Sequence, residues 1–188
     1  LQCPPGRCKG APDGPCFPTN IIQVSMAIHY YSESEAVPPF LRREVGAWIT
    51  SVAEGYGKTI GELNYQFCNN EQMLEMNSKF LDHHYYTDII TFPSGDDDEV
   101  LVADILISLD QVRLNAAELG VTPGSELLRV MIHGVLHLCG QDDVTLELET
   151  EMHHAEDRAL AKLPERVWRD IPASEAWMDE RPVSKGKE

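Results

Sequence analysis

His133 and His137 stand four residues apart in PGSELLRVMIHGVLHLCGQDD (123–143), a stretch whose apolar spacing predicts a helix. Residues at i and i+4 share one helix face, with Cβ atoms about 5–6 Å apart. Two imidazoles so placed can reach one tetrahedral metal ion through bonds of about 2.0–2.1 Å. Gly140 comes three residues after His137 and can enter the left-handed region that ends a helix without strain. The chain can then double back and bring Asp142 or Asp143 to the two rings. Spacing barely separates these adjacent carboxylates. The choice falls on Asp143, because His-x3-His-x2-Gly-x2-ligand is a known zinc spacing. The expected ligands are thus His133, His137 and Asp143, with water in the fourth place, the arrangement of catalytic rather than structural zinc. A metal held this way acidifies its water or polarises a phosphoryl oxygen.

Zinc peptidases of the His-Glu-x-x-His type place a general base beside the first histidine. That position is Gly134 in this chain. Glu126 lies on the same helix face but two turns back, too far along the helix to substitute. A metallopeptidase or other metal hydrolase therefore stays a secondary reading.

The elements that must position these residues follow from periodicity. Residues 21–30 suggest a strand, and Pro38-Pro39 open a helix to about Glu54, with Leu41, Val45, Trp48, Ile49 and Val52 inward. Residues 58–68 alternate at Ile60, Leu63, Tyr65 and Phe67 as a second strand. Asn69 caps a helix through Phe80. Short strand 88–93 and acidic turn 95–99 precede strand 100–108, read as buried on both faces. A helix over 109–119 stops at Gly120. Thr122 caps the histidine helix, with Pro123 in its first turn. Thr145 caps a last helix through Leu163, on which His153 and His154 read as surface or boundary residues. The fold predicted is α+β and metal-hydrolase-like, a four-stranded mixed sheet packed with about five helices. The histidine helix must be central, because its other face is almost wholly apolar.

Residues 1–20 hold five prolines and three glycines and read as a disordered leader, 21–164 as the single metal-binding domain, and 165–188 as a flexible tail. The five cysteines (Cys3, Cys8, Cys16, Cys68 and Cys139) are odd in number, which argues against a disulfide framework. No apolar run approaches the roughly 20 residues of a spanning helix, and the expected location is the cytoplasm. Net charge is −16, all of it within 21–164, where eight bases face 24 acids. Affinity for nucleic acid comes largely from lysine and arginine meeting phosphates, so an RNA-binding protein of this composition must draw on few cations.

HGVLHLCGQDD nonetheless resembles the signature of the YbeY family, metal-dependent endoribonucleases of ribosomal RNA maturation. MNSKFLDHHYYTDIITFP (76–93) and VADILISLDQVRLNAAELG (102–120) extend the resemblance over most of residues 21–163. The resemblance implies single-strand-specific cleavage of ribosomal RNA precursors, a part in ribosome quality control, and association with the ribosome or its small subunit. It implies one Zn2+ per chain. Two positions depart from the family pattern. Asp143 stands where the family commonly has histidine, which makes the metal centre formally +1 rather than +2 and makes Mn2+ or Mg2+ more acceptable. Leu81 stands where the family often has a phosphate-contacting arginine. Lys79, Arg113 and Arg129 are the available substitutes. Arg129 is the best placed, one turn before His133, unless it is engaged by Glu126 or another acid. A ribosome-associated RNA-binding protein with a structural metal is the third reading.

Overall fold

The computed structural model describes residues 27–32, 37–81, 86–164 and 167, without the side chains of Ala27, Phe80 and Leu81. The leader, the first residues of the expected opening strand, Cys3, Cys8, Cys16, the Leu81 side chain and nearly all of the tail lie outside the described residues.

The elements run β1 (Ala27–Ser32), α1 (Arg42–Gly55), β2 (Thr59–Cys68), α2 (Asn70–Leu81), β3 (Ile89–Pro93), β4 (Val100–Ser108), α3 (Leu109–Leu119), α4 (Pro123–Leu138) and α5 (Leu146–Leu160). The sheet order is β1-β2-β4-β3. β1 and β4 pair with β2 in parallel, and β3 pairs with β4 antiparallel, so the sheet is mixed as predicted. β3 is an edge strand, bonded on one flank only among the described residues.

Three local features differ from the sequence expectation for physical reasons. α1 begins at Arg42 rather than at the prolines. A residue that precedes proline is driven out of the α region, and Phe40 N–H donates to the Pro38 carbonyl in a turn first. In β2, the register shifts between Ile60 and Glu62. A Cβ on Gly61 would stand 2.8 Å from Val100 Cγ1. The bulge there explains why Ile60 and Leu63, three apart, both point inward. β4 is buried on both faces only towards its end, because α2 covers the second face there through Met73 against Leu106 and Ile90. Asp104, short of that cover, is exposed.

The main core lies on the opposite face. Leu63, Tyr65, Phe67, Ile105 and Ile107 from the sheet meet Val45, Ile49, Leu128, Met131, Ile132 and Val135 from α1 and α4. α4 is central, as its apolar face requires. Tyr65 Oη donates to the Met131 carbonyl at 3.2 Å within this core. Trp48 Nε1 donates to the Ala159 carbonyl at 2.7 Å and ties α1 to α5.

Candidate metal centre

α4 is framed by signals that its sequence carries. Thr122 Oγ1 accepts from Ser125 N–H at 3.2 Å, and Pro123 occupies the first turn, where a missing donor costs nothing. At the other end Gly140 adopts φ 92°. Cys139 N–H donates to the Val135 carbonyl, Gly140 N–H to that of His137 and Gln141 N–H to that of Leu136. The reversal returns residues 141–143 over the last turn, and Asp142 Oδ1 accepts from Asp143 N–H at 2.8 Å.

Asp143 is the carboxylate that arrives. Its Oδ2 lies 3.7 Å from His133 Nε2 and 3.6 Å from His137 Nε2, and the two nitrogens are 2.9 Å apart. These three ligand atoms all lie within 4.8 Å of one another, and they form the one such group among the described residues. Asp142 is outside it. Ligand atoms about 2.1 Å from a tetrahedral ion stand roughly 3.4 Å apart, so each edge of the triangle is within about half an ångström of what such an ion needs.

The opposite nitrogen of each ring is engaged. His137 Nδ1 is 3.0 Å from the Gln141 carbonyl, which can only accept. His133 Nδ1 is 2.7 Å from Glu156 Oε1 of α5. Both ring protons therefore belong on Nδ1, and both Nε2 lone pairs face inward beside a carboxylate oxygen. Three acceptors converge with no donor among them, which is the demand a cation satisfies.

Glu156 is buried at 2 % exposure. Its Oε2 accepts from Arg129 Nη1 at 3.0 Å and from His153 Nδ1 at 3.2 Å. Burial works against its charge, but the bonds from His133, Arg129 and His153 prevail and hold it below the ordinary carboxylate value. Burial likewise opposes charging His133, yet the hydrogen bond and charge of Glu156, with Asp143 and Asp88 behind, leave it above the ordinary imidazole value. Glu126 is raised, chiefly by burial.

The triad opens into a cavity of about 580 Å3 whose other walls are Asn77, Leu138, Thr87 and Asp88 just before β3, and Ile89, Ile90, Thr91 and Pro93 of β3. No lysine or arginine lines it among the described residues. Arg129, the best placed of the three candidate phosphate contacts, is engaged by acids other than Glu126: Glu156 at 3.0 Å and Asp157 at 2.9 Å. Arg113 pairs with Asp110 at 3.0 Å. His153 is exposed, in line with the surface reading, yet its Nδ1 reaches Glu156. Glu156 itself carried no signal along the chain, being 23 residues from the ring it touches.

Gly134 lies against β3. A Cβ there would stand 2.7 Å from Ile89 Cδ1 and 3.2 Å from Thr91 Oγ1. The place where peptidases carry their glutamate is thus closed by the sheet.

A family model described as Endoribonuclease YbeY matches residues 28–164. The Endoribonuclease YbeY of Porphyromonas gingivalis (strain ATCC BAA-308 / W83) is 48 % identical over 144 residues, which cover 77 % of this chain and 95 % of that protein. Its counterpart in Bacteroides thetaiotaomicron is 46 % identical over 136 residues, covering 72 % and 98 %. The solution structure of TM1509 from Thermotoga maritima is similar with a TM-score of 0.58 at 25 % identity, covering 86 % of this chain and 99 % of that one. The matched segment takes in all nine elements but for Ala27, the first residue of β1, together with the converging His133, His137 and Asp143, and the chain belongs to the Endoribonuclease YbeY family.

Proposed function

We propose that this protein is a metal-dependent endoribonuclease that cuts single-stranded RNA during ribosomal RNA maturation and ribosome quality control, with ribosomal RNA precursors and the small ribosomal subunit as its partners in the cytoplasm. Among the described residues, no helix is long and apolar enough to cross a membrane. The observation that carries the reading is the convergence of three acceptors, His133 Nε2, His137 Nε2 and Asp143 Oδ2, at the mouth of a cavity in a chain of this family.

His133, His137 and Asp143 would hold one divalent cation. Zn2+ suits the two imidazoles, and the carboxylate makes Mn2+ or Mg2+ acceptable. When bound, the cation would supply Lewis acidity towards a phosphoryl oxygen and lower the pKa of water. The chain's own residues do the rest. Three protein ligands would leave room for water or a phosphoryl oxygen on the cation. Thr87, Asp88, Thr91 and Asn77 line the wall that an RNA strand would meet, so sugar and base contacts have polar partners there. Arg129 stays paired with Glu156 and Asp157 of α5, so phosphate binding would fall to the cation.

The test is metal content and RNA cleavage measured together. Purified protein should carry about one metal per chain and cut single-stranded RNA, with both lost in His133→Ala. Metal-loaded protein that leaves RNA intact would overturn the proposal. Chelation separates the structural-metal reading, in which metal removal unfolds the domain while RNA is bound and never cut.

A further inference from the structure

We infer that Glu156 is a positioning residue of the metal centre: it fixes His133 with its proton on Nδ1 and its Nε2 lone pair aimed at the cation. The inference rests on the metal site proposed above.

Glu156 reaches the site from a different helix than the two imidazoles. Its Oε1 takes the His133 Nδ1 proton at 2.7 Å, and its Oε2 takes one bond each from Arg129 and His153. Both oxygens are therefore occupied, and the carboxylate has no free rotation. It is also 2 % exposed, so water does not compete for it. A desolvated carboxylate facing an imidazole N–H fixes both the ring plane and the tautomer, and raises the basicity of the other nitrogen. Arg129 completes the device. Its guanidinium bridges Glu156 and Asp157 on α5 and balances the buried charge. The best-placed cation of the sequence is thereby committed to holding a ligand's partner.

The two histidines are not equivalent. His137 is oriented by the Gln141 carbonyl, a neutral acceptor in the loop that follows its own helix. His133 is oriented by a charged acceptor across a helix–helix contact. Removing that charge should loosen one ligand of the three and leave the loop that carries Asp143 untouched.

The experiment is a Co2+ titration followed by visible absorption, on wild type and on Glu156→Gln. Glutamine keeps the size of the side chain and removes the charge. The expected result is a loss of Co2+ affinity of about 10- to 100-fold, with an altered d–d spectrum. Glu156→Gln that binds Co2+ within a factor of two of wild type, with the same spectrum, overturns the inference and leaves the metal site standing. Wild type that takes up no Co2+ overturns both. A second measurement needs no variant. Long-range 1H–15N spectra of zinc-loaded wild type should show His133 protonated at Nδ1. A proton on Nε2, with zinc on Nδ1, refutes the assignment even if the variant fails to fold.

Discussion

Gly134 of α4 approaches Ile89 of β3 so closely that a Cβ on the glycine would stand 2.7 Å from the isoleucine Cδ1. This contact sets the spacing between the helix that carries the imidazoles and the strand that forms the facing wall of the cavity. Glycine in a helix interior costs about 1 kcal/mol relative to alanine, and here the close approach is what that cost permits. Gly134→Val should destabilise the protein by about 1–3 kcal/mol through overpacking. Chemical denaturation measures it, and an unchanged midpoint would show that β3 yields freely. The same contact explains why a peptidase-type glutamate has no room beside His133.

Asp143, the proposed carboxylate ligand, is the member of the triad most open to redesign. Asp143→Ala should lose metal affinity by at least tenfold, as removal of one of three ligands removes a bond and a charge. Asp143→His should keep the metal, raise its formal charge and shift selectivity towards Zn2+ over Mn2+. Competition between the two metals in wild type and Asp143→His measures this. Unaltered selectivity would mean that Asp143 does not ligate.

In the proposed metal site, protons and metal would compete for His133. Its folded-state value lies above the ordinary 6.5 because Glu156, Asp143 and Asp88 outweigh burial. A value raised on folding adds stability to the metal-free protein below the unfolded value, and that stability is lost as pH rises through the folded one. The denaturation midpoint of metal-free protein should therefore fall on going upward from about pH 6.5. Metal affinity should rise over the same window as the proton leaves. His133→Ala should lack the drop, and a wild-type midpoint that is flat there would contradict the assignment.

Trp48 holds the far end of α5. Trp48→Phe removes the bond to the Ala159 carbonyl and leaves a small void, a loss of about 1–3 kcal/mol. Because the indole touches no ligand, the Co2+ spectrum of this variant should match wild type while its melting temperature falls. A changed spectrum would mean that α5 shifts as a whole.

Much of this was legible in the chain. The two imidazoles at i and i+4, the helix stop at Gly140 and the returning Asp143 are local, and helix geometry with one left-handed residue is enough to bring them together. The caps at Asn69, Thr122 and Thr145 read correctly for the same reason, since each side chain acts within three residues of itself. What could not be read came from tertiary partners. Which acids engage Arg129 could not be read, because they lie on α5, 27 and 28 residues on. Nothing in the sequence sets Glu156 apart from the other acids of α5; burial and three donors do. The bulge at Gly61 was hidden because it depends on the strand beside it.

The edge position of β3 among the described residues bears on how so acidic a protein could hold RNA. An edge strand presents main-chain N–H and C=O groups that carry no net charge. A strand gripped mainly by such neutral dipoles releases few condensed counterions, so its affinity should decline gently with added salt, where a lysine-lined groove would show a steep fall.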